Sequence, residues 1–261
     1  MVVLGPDSAW TVGRPSGVAL VAGGDCGWQS LCVAPSYDTF VGCAAGGEID
    51  WSRGKFLGTA PQISGLLKAA RSIAGTKPTL VAVDMPISRT AIRGRRPADD
   101  AISVEFGGRY CSTHSPTAER PGLISAVLMH DLAEAGFPLA TTDAPVGETP
   151  AVLEVYPHPA LLDLVGSPCR VPYKVSRSRV YWPGATVKKR IENLLEQFAK
   201  IGDALRRIFG DTQIPLPEPS EVSTLSHLKR FEDALDALIS AWVGLSGVPE
   251  LAGRNSLATF F

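Results

Sequence analysis

Three acidic residues stand where an apolar side chain would be expected. Asp7 follows a short apolar run at the start of the chain, Asp84 ends the apolar run 79–83, and Glu154 lies inside the apolar run 151–156. An ionised carboxylate in apolar surroundings is costly unless a hydrogen-bond donor, a cation or a raised pKa relieves it. Each of these carboxylates therefore requires a specific partner.

The last predicted helix gives the strongest indication of a site. Its sequence FEDALDALISAWVGL is apolar on nearly every face, which is typical of a buried helix. Asp233 and Asp236 are three residues apart, so both carboxylates project from one face and repel each other unless a cation lies between them. The small residues Ala234, Ala237 and Ala241 allow this helix to approach a sheet closely.

Taken one at a time, these acids have structural explanations. Asp7 and Asp84 could cap a turn or a loop, and Asp233 could lie on a solvated first turn. Taken together, acids at two strand ends, within a strand and on an apolar helix predict a divalent-cation site. A site built from oxygen ligands alone favours Mg²⁺ or Mn²⁺ over zinc.

The loop that follows the VAVD run is rich in arginine. One interpretation is a solvated loop in which these arginines pair with Asp99, Asp100 and Glu105. The other places Arg95 or Arg96 against a substrate phosphate, which the guanidinium group binds well. The sequence alone supports both interpretations equally.

A second basic segment, YKVSRSRVYWPGATVKKR, interleaves positive charge with aromatic residues. Its first basic residue, Lys174, is a candidate for substrate binding. The pattern suits a single-stranded or distorted nucleic acid. Tyr181 and Trp182 fit equally well as core residues that anchor the helix which follows them.

Alternating strands and helices must position these side chains. Short apolar runs predict strands at 2–4, 17–21, 28–33, 79–83 and 151–156, with the first two forming a hairpin. Apolar residues at helical spacing predict helices at 63–73, 121–135, 185–209 and 223–243. Between these elements, 87–121 is predicted as a long loop with at most a short helix at 98–106, and 214–219 as a proline-rich linker. This order predicts an α/β layered domain with a mixed sheet.

The composition excludes several classes of protein. The 261 residues are 45% hydrophobic, enough for a substantial core, and 25 basic against 26 acidic residues give a net charge of -1. A protein that coats nucleic acid without specificity would be markedly basic. No run is long enough to cross a membrane, no basic segment precedes the first apolar run, and five cysteines include no CxxC pair. These features predict a cytoplasmic protein with reduced thiols and no membrane partner.

The arrangement of acids resembles that of the ribonuclease H-like superfamily, whose acids come from the first strand of a hairpin sheet, a later strand and the last helix. The stretch EDALDALISAW is similar to the final helix of Holliday-junction resolvases of the RuvC type. More closely, the chain from about Met1 to Gly247 resembles domain-of-unknown-function family 429 (DUF429), an uncharacterised family of predicted ribonuclease H-like nucleases. The motifs that carry this resemblance are GPDSAWTVGRPSGVAL, VAVDMPI, GRRPADDAIS, LEVYPHPAL, Tyr173-Lys174 and DALDALISAW.

The resemblance implies one ribonuclease H-like domain over residues 1–261. Its fold would be α/β, with a mixed central sheet flanked by helices and with insertions at about 87–121 and 170–220. The expected partner is nucleic acid, DNA or RNA, and the oligomeric state is left open.

The resemblance also implies roles for the acids. Asp7, Asp84 and Asp233 or Asp236 would be metal ligands, and Glu154 is a further catalytic candidate from the EVYP motif. Five acids exceed what a two-metal site requires, so at least one of them would orient the ligands rather than bind a cation.

The implied activity is metal-dependent hydrolysis of phosphodiester bonds in nucleic acid. Two cations about 3.5–4 Å apart would bridge a phosphate oxygen, activate water and stabilise the leaving 3′ oxygen. One alternative is a non-catalytic ribonuclease H-like module that binds nucleic acid or a protein. A lesser alternative is an actin-like phosphotransferase or ATPase, which also has an aspartate on its first strand. That class requires a duplicated domain and a second phosphate-binding turn, and the sequence contains neither.

Overall fold

One mixed five-stranded sheet forms the centre of the computed structural model, which describes residues 1–24, 27–141, 146 and 150–246. Its strands are β1 (Val2–Asp7), β2 (Gly17–Gly24), β3 (Gly27–Ala34), β4 (Leu80–Val83) and β5 (Ala151–Glu154). Their order across the sheet is β3-β2-β1-β4-β5. The pairs β1–β2 and β2–β3 are antiparallel, and the pairs β1–β4 and β4–β5 are parallel. The prediction of a mixed sheet in an α/β protein is therefore confirmed.

The three parallel strands end at the same edge of the sheet. In the register of the strands, Leu4 is opposite Val81 and Val83 is opposite Glu154. The backbone N–H of Asp84 donates to the carbonyl of Pro6 at 3.0 Å, which extends the pairing of β1 and β4 by one step. This edge, beyond the carboxyl ends of parallel strands, is where open α/β sheets bind their ligands.

Helices cover both faces of the sheet. They are α1 (Tyr37–Ala44), α2 (Ile63–Ala74), α3 (Pro97–Phe106), α4 (Gly122–Glu134), α5 (Pro157–Leu164), α6 (Ser178–Tyr181), α7 (Val187–Phe209) and α8 (Lys229–Ser246). One apolar layer packs α1, α2 and α4 on the sheet, and its core includes Phe40, Leu66 and Leu128. The opposite layer packs α5, α7 and α8 on the other face, around residues such as Phe198 and Leu238.

Two glycines allow α8 to lie directly on the sheet. A Cβ atom at Gly5 would lie 2.5 Å from the backbone nitrogen of Ala241, and one at Gly17 would lie 2.1 Å from the carbonyl oxygen of Asp233. Side chains at these two positions would push the helix away. The close approach predicted from the alanines of this helix is confirmed, and the glycines on β1 and β2 are its second requirement.

The predicted start of the last helix and the predicted end of the fifth strand are wrong, and one helix was not predicted. The last helix begins at Lys229 rather than near 223, because Leu225–Leu228 form a 3₁₀ turn. The strand predicted at 151–156 ends at Glu154. Pro157 then begins α5, which was not predicted, since proline is well tolerated in the first turn of a helix.

The segments predicted as insertions contain regular structure. The stretch 87–121 holds α3, as predicted, followed by a 3₁₀ turn at Gly107–Arg109. The stretch 170–220 contains α6, α7 and two further 3₁₀ turns. α1 was also missed, because only Tyr37 and Phe40 of its eight residues are buried and no helical period is visible.

The helices and the cysteines can also be compared with the predictions for membrane crossing and for reduced thiols. No helix within them combines the length and the apolar character that crossing a membrane requires. The thiols of Cys32, Cys43, Cys111 and Cys169 are free, in agreement with the prediction, and Cys26 lies outside the described residues.

Candidate metal centre

Three aspartates meet where the end of β1 faces α8. Asp7 is the last residue of β1, and Asp233 and Asp236 lie one turn apart on α8. One carboxylate oxygen from each of the three lies within 4.8 Å of the other two. Asp233 and Asp236 are 1% and 0% exposed, so neither charge is relieved by bulk water. The structure thus brings together three of the four predicted metal ligands at distances that one cation could span.

The fourth predicted ligand, Asp84, follows β4 next to the same site. Burial raises the pKa of Asp84 to about 7; the positive charge of Lys174 opposes this shift, and the negative charges of Asp236 and Glu154 add to it. The charge of Asp84 in turn helps to raise the pKa of Asp7. Asp84 therefore belongs to the electrostatic environment of the three aspartates.

The pKa values of Asp7 and Asp233 are raised as well. For Asp7 the main cause is burial, and the charges of Asp236, Asp84 and Asp233 add to it. Burial raises the pKa of Asp233 to about 7, against the opposing effect of Lys229. Ionising these carboxyls together is therefore unfavourable without additional positive charge nearby.

Two lysines and a tyrosine hold the α8 aspartates in place. Lys174 forms an ion pair with Asp236, and the Tyr173 hydroxyl donates to the other Asp236 oxygen at 2.5 Å. Lys229 forms an ion pair with Asp233. Lys174 was predicted to bind substrate. Its side chain is only 18% exposed, and its ammonium group binds Asp236.

Glu232 is a further buried acid of this site that the sequence did not identify. Its Oε1 accepts from Lys229 at 2.8 Å and lies 3.7 Å from the Lys174 ammonium. Its Oε2 accepts from the backbone N–H of Val175 at 2.6 Å, and its pKa is lowered by Lys229 and Lys174 despite burial. Glu232 therefore shares the two lysines with Asp233 and Asp236, so that three carboxylates form ion pairs with two ammonium groups.

The charges of this site do not balance. We refer to Asp7, Asp84, Glu232, Asp233 and Asp236 as the carboxylate cluster; two ammonium groups, those of Lys174 and Lys229, form its ion pairs. The Oδ2 atom of Asp233 is buried and has no hydrogen-bond partner among the described residues. An unpartnered anionic oxygen beside excess negative charge, with oxygen donors alone at the three-aspartate position, fits a hard divalent cation such as Mg²⁺ or Mn²⁺.

Glu154 and Arg96 form a separate cluster. The two Arg96 Nη atoms each donate to one Glu154 oxygen at 2.6 Å, and the Ile87 N–H donates to Glu154 at 2.9 Å. Arg96 also binds both oxygens of Asp99, at 2.9 and 3.0 Å. In this group of Arg96, Asp99 and Glu154, which we call the Arg96 cluster, the predicted catalytic acid and the predicted phosphate ligand bind each other.

Arg95 has structural partners as well. Its guanidinium donates to the Asp99 carbonyl at 2.7 Å and to Ser103 Oγ at 2.5 Å, and it forms an ion pair with Asp100. These contacts hold the first turns of α3. They agree with the interpretation that the arginine-rich loop pairs with its own acids.

Lys229 and Glu232 were not predicted as residues of the site. Both lie in the first turn of α8, where charged residues normally face solvent. Their spacing to Asp233 was the available indication, because residues three and four apart share a helix face. Asp99, which is 2% exposed, was likewise considered only as a possible partner of the arginines.

The comparisons with known proteins identify a family but no individual relative. Residues 13–254 match the family described as protein of unknown function (DUF429). No curated protein and no solved structure gives a significant match. Since the match spans most of the chain, this protein belongs to the DUF429 family.

Proposed function

We propose that this protein is a divalent-metal-dependent nuclease with a ribonuclease H-like fold, which hydrolyses phosphodiester bonds of nucleic acid. The observation that carries the proposal is the carboxylate cluster, in which Asp233 Oδ2 is buried and no residue that the structure describes binds it. The sheet order supports the proposed fold, because an antiparallel β3-β2-β1 hairpin sheet continues into parallel β4 and β5. The first strand, the next parallel strand and the last helix supply the acids, as the resemblance implies.

The residues have distinct parts in this proposal. Asp7, Asp233 and Asp236 would hold Mg²⁺ or Mn²⁺, with Asp84 beside them. A bound divalent cation polarises phosphate oxygens and lowers the pKa of water, which supplies a nucleophile near neutral pH. β1 fixes the position of Asp7 at the end of the sheet.

The groups around the ligands orient them. Tyr173 and Lys174 fix both oxygens of Asp236, and Lys229 fixes one oxygen of Asp233. This leaves the second Asp233 oxygen to face the site. Glu154 lies outside the group formed by Asp7, Asp233 and Asp236, and it acts in this proposal through its charge on Asp84 rather than as a ligand.

The test is a cleavage assay with a matched pair of substitutions. Wild type, Asp7→Asn and Asp203→Asn are incubated with Mg²⁺ and with Mn²⁺ against labelled single strands, duplexes, an RNA–DNA hybrid and a four-way junction. Asp203 is the control, since its side chain is 60% exposed on α7, where it pairs with Arg206. We expect wild type and Asp203→Asn to cleave the same substrate at equal rates.

Asp7→Asn should be slower by about 10³-fold, because several kcal/mol of charge stabilisation in the transition state depend on the cation it holds. Equal cleavage by Asp7→Asn would place the activity elsewhere. Folded wild type that binds these nucleic acids and cleaves none of them would support the non-catalytic binding module instead.

A further inference from the structure

A cavity of about 820 Å³ opens beside the carboxylate cluster. Asp84 lines it, so the cavity and the cluster share one side chain. Its walls are the residues that follow β4 and β5, the exposed side of α3, and Trp10, which lies just beyond β1. All three parallel strands thus direct their carboxyl ends to this space, the usual ligand position in an open α/β sheet.

The cavity is mostly apolar and contains aromatic side chains. Ile102, Leu139 and Leu153 contribute apolar surface, and Trp10 and Tyr156 contribute rings. Its volume lies within the range of cavities that enclose ligands of small-molecule size. A single nucleotide fits such a space, whereas a double helix does not.

Basic side chains lie near Trp10 and His114, two aromatic residues that line the cavity. The Arg120 guanidinium lies 6.0 Å from the centre of the Trp10 ring, and the ring of His114 lies 6.4 Å from it, edge to face. Burial lowers the pKa of His114, and the charges of Arg170, Arg177 and Arg120 lower it further. Aromatic rings beside basic side chains are the combination that binds single-stranded nucleic acid, through base stacking and phosphate contacts.

We propose that this cavity takes one unpaired nucleotide of the nucleic-acid substrate, with its base beside Trp10 and Tyr156 and its phosphate toward Asp84. This inference rests on the proposed nuclease function and narrows it. The substrate class is nucleic acid with an unpaired nucleotide next to the bond that is cut, such as a single strand, a flap or a bulge. A continuous duplex is a poor substrate, because one base would first have to be unstacked and unpaired.

The test fills the cavity from an exposed position. Ala101 is exposed on α3 and lines the cavity, so the ring of Ala101→Phe occupies the space with little effect on folding. Ala91→Phe is the control, because Ala91 is equally exposed and does not line the cavity. Binding is measured by fluorescence anisotropy in Ca²⁺, with a labelled single strand, the same strand carrying abasic sites, and the corresponding duplex.

We expect the single strand to bind wild type and Ala91→Phe alike, and Ala101→Phe about tenfold more weakly, the usual effect of losing one stacked base. Trp10→Ala should weaken binding to a similar extent, and Trp10→Phe should restore it because a phenyl ring also stacks. The abasic strand and the duplex should bind wild type as weakly as the single strand binds Ala101→Phe.

Unchanged binding of the single strand by Ala101→Phe, or equal binding of intact and abasic strands, would overturn the inference. Competition by a nucleoside monophosphate as strong as that by the unlabelled strand would also overturn it, in favour of a free nucleotide ligand. The same variants are assayed for cleavage. Cleavage by Ala101→Phe at the wild-type rate would contradict the cavity proposal and support the nuclease proposal. Base-dependent binding by wild type without cleavage would contradict the nuclease proposal.

Discussion

The carboxylate cluster and the Arg96 cluster are neighbouring groups of acids that differ in how fully their carboxylate oxygens are bound. In the Arg96 cluster, one guanidinium binds both carboxylates, and the Ile87 N–H provides a further donor to Glu154. In the carboxylate cluster, within the described part of the chain, two lysines face five acids and one oxygen of Asp233 has no partner. Burial of acids alone therefore does not identify a metal site. An unpartnered carboxylate oxygen distinguishes the carboxylate cluster, because either a raised pKa or a bound cation must relieve its charge.

Removing one positive charge from each cluster should produce the largest difference between them in how stability responds to Mg²⁺. Lys174 and Arg96 are a matched pair, with side chains 18% and 16% exposed. In EDTA, Lys174→Met and Arg96→Met should each lower the free energy of unfolding by about 3 kcal/mol, since each leaves a buried carboxylate unpaired. Denaturant unfolding with and without Mg²⁺ is the measurement.

Mg²⁺ should restore most of the stability of Lys174→Met, because the cation can take the place of the lost ammonium group beside Asp236. It should not restore Arg96→Met, whose unpaired acids are Asp99 and Glu154. Equal recovery of both variants would mean that the cation binds without preference for the carboxylate cluster.

Adding a cation to the unaltered protein is the next largest effect. Mg²⁺ at about 100 times its dissociation constant should stabilise wild type by about 2.7 kcal/mol, if it binds the folded chain alone. Asp233→Asn should lose most of this stabilisation, and the exposed control Asp203→Asn should retain it. Thermal unfolding at several Mg²⁺ concentrations measures the difference. A wild-type melting temperature independent of Mg²⁺ would argue against a metal centre.

The difference between the clusters could be predicted only in part. Asp7 and Asp84 were predicted at strand ends and Glu154 within a strand, because apolar runs mark the strands. The shared face of Asp233 and Asp236 followed from their spacing alone. These predictions depend on local sequence and on the general geometry of α/β sheets.

The pairings were beyond such reasoning. Arg96 and Glu154 are 58 residues apart, and Lys174 and Asp236 are 62 apart. Whether a basic residue binds an acid or faces a substrate depends on how α3 and the turn before α6 pack, and no local pattern specifies that packing. The positions of the acids could therefore be predicted from the sequence, whereas their pairing with basic side chains could not.

The stability of the carboxylate cluster should depend on pH through Asp84. The pKa of Asp84 is about 7 in the folded chain, above its ordinary value of 3.8. Its charge therefore destabilises the fold fully above pH 7, and this destabilisation disappears as the pH falls toward 4. In EDTA at pH 8, Asp84→Asn should be more stable than wild type by about 2 kcal/mol. This is roughly half of the free energy that a shift of three pKa units represents, because the acidic neighbours of Asp84 titrate over the same pH range.

At pH 5 the advantage of Asp84→Asn should fall to less than half of its value at pH 8. The comparison between variants matters, because His158 has a lowered pKa and destabilises both proteins equally in acid. Asp203→Asn should differ from wild type by the same small amount at both pH values. An advantage of Asp84→Asn that is constant with pH would show that folding does not shift the pKa of Asp84, against the expected effect of the carboxylate cluster.

The smallest effect concerns the contact that brings α8 against β2. A methyl group at Gly17 would meet the backbone carbonyl of Asp233, so Gly17→Ala must shift the start of α8. We expect a loss of about 1 to 2 kcal/mol in the free energy of unfolding, as for other overpacked sites, and no loss for Gly13→Ala, where a Cβ meets nothing within 4 Å. The shift should also weaken Mg²⁺ binding, measured by the concentration that gives half of the thermal stabilisation. Since the Arg96 cluster has no contact with this glycine, a loss of stability without weaker Mg²⁺ binding would show that the position of Asp233 is not what distinguishes the two clusters.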